Sequence, residues 1–149
     1  MKLQPLLKAE ITLAAPQELG DSPLGRRRII NITGGRFSGE RLSGRVLPGG
    51  ADWQVIRSDG VADLDARYTL ETEDGALIYV RNRGLRHGPA EVLRQLSLGQ
   101  NVDPSLYYMR TTPSFETGDT RYLWLNRMVC VATGARRAAA VELDVFEIQ

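Results

Sequence analysis

Six glycines fall between positions 34 and 50 of this chain of 149 residues, at 34, 35, 39, 44, 49 and 50. That spacing is too dense for a helix, where an interior glycine costs about 1 kcal/mol relative to alanine. It suits turns, bulges and bends in tightly curled strands. LLKAEITLA sets Leu7, Ala9, Ile11 and Leu13 against Lys8, Glu10 and Thr12, the two-residue period of a half-buried strand. RRRIINIT, ADWQVIRSDG, YYMRTT, RYLWLNRMVCVAT and AVELDVFEI read as further strands, with PQELGDSPLG as a loop. The one helical pattern is RHGPAEVLRQLSLG: Pro89 opens it, Glu91 lies in its first turn, and Gly99 stops it. Its Val92, Leu93 and Leu96 share a face. Short strands without βαβ alternation predict an all-β fold, a closed antiparallel barrel with one short helix, as a single domain over residues 1–149.

RYTLETEDGALIYVRNRG, from Arg67 to Gly84, reads as a hairpin that can close in two registers. A two-residue Asp-Gly loop puts Asp65, Arg67 and Asn82 on one face beside Val80 and Ile78. A three-residue loop with Gly75 left-handed instead gathers Leu64, Ala66, Tyr68, Leu70, Ile78, Val80 and Asn82. A slip of one residue turns every side chain to the other face, so the registers exclude each other. The three-residue loop gives the cleaner apolar pattern. The two-residue loop would put an aspartate, an arginine and an amide inside the barrel, an acid–base and anion-holding set. Asn82 faces inward in both.

Nineteen Lys and Arg against 18 Asp and Glu leave no broad field for nucleic acid or an anionic membrane, and neither partner is expected. The run Arg26-Arg27-Arg28 reads as solvated surface. Cys130 is the only cysteine and lies in the apolar run MVCVA, where it reads as a small buried hydrophobe. One cysteine and one histidine exclude a Cys/His zinc site, and no metal or cofactor is expected. Lys8 and Glu10 interrupt any signal-peptide core, and no apolar run reaches membrane-spanning length, so the protein reads as cytoplasmic.

Trp124 and Asn126 in one strand, Arg110 in another and Trp53 in a third put aromatics, an amide and a cation at alternating positions, which suits a ligand cavity. His87, just before the helix, reads as a base held neutral by the helix dipole or as solvated surface.

The blocks GGRFSGERLSGRVLPGGADWQ, ADLDARYTLETEDGALIYVRNRG and YYMRTTPSFETGDTRYLWLNR together resemble the family called domain of unknown function 3237, or uncharacterised protein family 0311. The resemblance implies a small calycin-like barrel. Some fungal members are associated with cofactor-free cyclisation of phenolic polyketides by addition of a hydroxyl across an alkene. Two functions follow as expectations. The first is a cofactor-independent lyase, cyclase or isomerase for a small aromatic or enone-bearing molecule. In it Asp65 or Tyr68 is the acid–base group, Arg67 or Arg110 holds the anion, Asn82 and Asn126 orient, and Trp53 and Trp124 stack. The alternative is a small-molecule binding barrel without turnover, whose cavity needs no titratable group. Both need a hollow that admits a small organic guest. A homodimer is expected if Leu64, Ala66, Tyr68 and Leu70 face outward.

Overall fold

The computed structural model describes residues 1–149 and closes the hairpin with three residues. Thr72 N–H donates to Ala76 O at 2.9 Å and Gly75 N–H to Thr72 O at 2.9 Å, with Gly75 left-handed at φ +90°. Two long strands result, β6 (Ala62–Thr72) and β7 (Leu77–His87), paired with Tyr68 opposite Val80 and Ala66 opposite Asn82. Leu64, Ala66, Tyr68, Leu70, Ile78, Val80 and Asn82 therefore face the interior. The homodimer expectation was tied to the first four facing outward, a condition that is not met.

Before the hairpin come β1 (Leu3–Leu13), β2 (Gln17–Ser22), β3 (Gly25–Ser38), β4 (Ser43–Val46) and β5 (Ala51–Ile56). After it come α1 (Ala90–Ser97), β8 (Tyr108–Glu116), β9 (Cys130–Arg136) and β10 (Ala140–Ile148). Each strand from β6 to β10 pairs antiparallel with the next, β10 pairs with β1, and β1 pairs with β3. β4 and β5 occupy successive lengths of the place between β3 and β6, which closes an eight-stranded barrel. Part of the expected loop PQELGDSPLG is strand, since β2 extends the pairing of β3 beyond the end of β1.

The closing seam explains one glycine of the dense run. Gly35 sits at φ +138° opposite Ile11, and a Cβ there would come within 2.1 Å of Glu10 O. Gly35→Ala is expected to destabilise the protein by about 1–3 kcal/mol, through overpacking and a backbone conformation that L side chains avoid. A urea titration checks this. A midpoint equal to the parent's would mean that the seam opens at no cost.

The barrel is filled unevenly. Leu70, Ile78, Val80, Phe37, Cys130 and Leu125 pack solidly at the end that holds the hairpin turn. The segment Leu123–Arg127, read from the sequence as strand, is a 3₁₀ turn that drives Leu125 into that core at 1% exposure. The opposite end carries α1, whose Val92 and Leu96 pack on a smaller cluster of Ala62, Leu64, Val102, Tyr107 and Met109. No helix is long and apolar enough to cross a membrane.

Candidate active site

Between the solid core and the α1 end the interior turns polar. Strand alternation on β5 sends Asp52 and Gln54 inward and Trp53 outward, the reverse of what hydrophobicity alone would choose. β7 contributes Asn82 and, two pleats nearer the rim, Arg86. β6 contributes Tyr68, β8 Thr111 and β9 Arg136. These side chains, with apolar neighbours such as Ile30, Ile32 and Leu64, line a chamber of about 50 Å³.

Its polar groups are incompletely partnered within the protein. Gln54 Oε1, Asn82 Oδ1 and Thr111 Oγ1 are buried and form no hydrogen bond with any protein group. Native interiors rarely leave such atoms unmatched, so three around one chamber mark a place where something polar is received. Asp52 is partly matched: Gln54 Nε2 donates to Oδ2 at 2.8 Å, and the Asp65 backbone N–H donates to Oδ1 at 2.9 Å. Burial raises its pKa above the ordinary carboxylate value, opposed by those two hydrogen bonds and the nearby charge of Arg86. Burial likewise pushes the Tyr68 hydroxyl up, which keeps it a neutral donor.

Arg86 is 9% exposed, and its guanidinium, which keeps some contact with solvent at the rim, forms neither a hydrogen bond nor an ion pair with the protein. Burial, then repulsion from Arg136 and Arg28, pushes its pKa down to about 10. Arg136 is lowered by the same two kinds of cause, burial first and Arg28 second. Arg86 and Arg136 line both the chamber and a wider groove of about 550 Å³ at the rim, walled by Leu93, Leu96 and Leu98 from α1 and its exit, and by Ile56. The enclosed hollow is thus smaller than the guest-sized cavity expected from the sequence. The space for a molecular body lies at the mouth.

The residues singled out from the sequence divide accordingly. Tyr68 and Asn82 line the chamber. Asp65 and Arg67 lie on the outer wall in the native register, where Asp65 meets Arg67 at 3.6 Å and Arg81 at 3.5 Å. Arg110 and Trp53 also face outward. Arg110 Nη1 donates to Met109 O at 2.9 Å, and the Arg67 guanidinium stands 5.9 Å from the Trp53 ring. Trp53, Asp65 and Arg110 do share a depression of about 930 Å³, but it is an open stretch of outer wall in which Asp65 is tied to Arg67 and Arg81, and Arg110 to the Met109 carbonyl. Trp124 and Asn126 sit at the filled end. The Arg41 guanidinium stacks 3.5 Å over the Trp124 ring, and Asn126 trades hydrogen bonds with the Thr117 backbone at 2.8 Å each way. His87 is the outer-facing last residue of β7, stacked on Tyr108 at 4.7 Å. Burial pushes the Cys130 thiol up to about 11, as suits an inert core residue. Asp52, Gln54, Arg86, Thr111 and Arg136 were not found from the sequence.

This architecture is shared with known proteins. A UPF0311 protein of Rhodopseudomonas palustris is 48% identical over 129 residues, 87% of this chain and 84% of its own. A β-barrel-like protein of Acinetobacter baumannii superposes with a TM-score of 0.87 at 49% identity, covering 99% of this chain and 96% of that one. An enzyme of Penicillium herquei superposes at 0.74 with 22% identity, over 99% and 94% of the two chains, a likeness of fold. With residues 1–148 also matching the model described as "Protein of unknown function (DUF3237)", the chain belongs to that family.

Proposed function

We propose that the protein is a cofactor-independent lyase, cyclase or isomerase that moves a proton on a small aromatic or enone-bearing molecule held at the barrel mouth. The carrying observation is a carboxylate of raised pKa in the same chamber as three unpartnered oxygens and a buried, unpaired guanidinium. Groups perturbed in this way cluster at working sites. A carrier would need no titratable group there, so Asp52 and Arg86 favour turnover over storage.

The chemistry that fits is reversible addition of a hydroxyl across a conjugated alkene. Asp52 takes the hydroxyl proton as oxygen bonds to the β-carbon. The alkene electrons move onto the carbonyl oxygen, where Arg86 meets the enolate charge. The proton on Asp52 then passes to the α-carbon, which restores the carboxylate and balances the reaction. Asn82, Gln54 and Thr111 orient the oxygens, and Tyr68 donates as a neutral hydroxyl. The relation of fold to the Penicillium herquei enzyme supports the reading that this barrel can host catalysis.

The test is a panel of enones with a tethered hydroxyl, and of the corresponding cyclic ethers, followed by loss or gain of enone absorbance in deuterated buffer. Turnover with deuterium entering the α-carbon is expected. Neither absorbance change nor exchange on any member would overturn the reading.

A further inference from the structure

The mouth groove is lined by four arginines, Arg26, Arg28, Arg86 and Arg136, and by no acidic residue. The run of three arginines in β3 is therefore not uniform surface. Arg26 and Arg28 point to the mouth, while Arg27 turns outward and donates to Trp53 O at 3.1 Å. Arg26 is exposed and solvated, but the other three are drawn into the neck. Arg28 Nε lies 3.1 Å from Glu18 Oε1, an ion pair without hydrogen-bond alignment. Arg136 spends Nη1 on the carbonyls of Arg137 and Ala140, at 2.6 and 3.0 Å. Arg86 has no partner.

Of the three sheltered guanidinium groups, Arg28 has only the exposed Glu18 beside it, and Asp52 is the one sheltered carboxylate whose charge reaches Arg86 and Arg136. Positive charge is in excess there, in a place where uncompensated charge is costly. We infer that the groove takes a small monocarboxylic acid, its carboxylate seated on Arg136 and Arg28 and its apolar body on the α1 face of Leu93 and Leu96. The apolar wall beside the cations suits an acid with an organic body better than a bare phosphate ion. Guanidinium also matches a carboxylate in two-pronged geometry. The inference rests on the site assigned above and adds the class of substrate: the acid anchors at the rim while its reacting end passes Arg86 into the chamber.

The experiment is calorimetric titration with benzoate, phenylacetate and cinnamate, each against its own amide. At least one acid is expected to bind about tenfold or more tighter than its amide, since hydrogen bonds to charged groups carry that much. Arg136→Met should remove the difference by weakening the acid more than the amide. Arg28→Gln, at the rim, makes the same test should the first variant fail to fold. Asp52→Asn should still bind the acid. No acid outbinding its amide, no loss in either arginine variant, or inorganic phosphate binding tighter than every acid would each overturn the inference. Because these ligands need not react, the outcome is separate from turnover: an Asp52→Asn defect in catalysis without acid preference would leave the acid–base reading standing and remove this one.

Discussion

Asp52→Asn is expected to lower turnover on the enone substrates by about 10²–10⁴-fold, the usual share of one general acid–base group. The amide keeps the size of the carboxylate and can still accept from the Asp65 N–H, so the melting temperature should move little. The effect belongs in kcat more than in KM, because Asp52 acts on the proton in flight. The pH profile gives a second signature. Burial holds the Asp52 carboxyl above its ordinary value, so the folded protein keeps that proton to higher pH than the unfolded chain does. Its function as a base should therefore appear along an acid limb lying above the ordinary carboxylate value of about 3.9, and the variant should lack that limb. Unchanged kcat in a folded Asp52→Asn protein would move the acid–base role elsewhere.

The second large effect has two opposite parts. Arg86→Met is expected to cost about 10²–10³-fold in kcat, as loss of a preorganised oxyanion partner does. The same change should stabilise the fold, on the order of 1–4 kcal/mol, because it replaces a buried unpaired cation by an apolar chain of similar length. Arg86 has its pKa pushed down to about 10, below the usual 12.5, so its charged form disfavours folding. That penalty is in force at pH 7 and is relieved only as pH rises through 10 toward the unfolded value. A folding residue would do the reverse and lose stability along with activity. Thermal melts of parent and variant at pH 7, beside their rates, separate the two outcomes. A less stable Arg86→Met protein would mean that the guanidinium has favourable contacts that outweigh its burial. A site that gains stability when disarmed is the usual signature of function held at the expense of the fold.

Where the chain follows the rule of apolar side in, its sequence is a faithful guide. β1 alternates as its residues demand, and the Glu73-Asp74-Gly75 turn, with one glycine able to go left-handed, closes in the register of cleaner pattern. Asn82 was reachable because both registers turned it inward. The chamber was missed for a physical reason: there the rule inverts. Asp52 and Gln54 face in while Trp53 faces out, so the tryptophan drew attention to the wrong side of β5. That inversion in a strand of six residues was the one signal available. The rim arginines lie on β3, β7 and β9, far apart along the chain, and each alone resembles solvated surface. Their convergence is a property of barrel closure, which no local pattern contains. The segment Leu123–Arg127 misled in another way, since its apolar spacing fits a strand although only Leu125 is taken into the core.

The uneven filling of the barrel bears on how such proteins diverge. A foundation sealed by Leu125, Ile78 and Leu70 stands apart from the rim, so the arginines and the α1 face can be exchanged one at a time without loosening what holds the strands shut. Descendants of one ancestor could thus acquire different chemical diets while sharing an unchanged base, and their kinship would be written in the half that never touches a ligand.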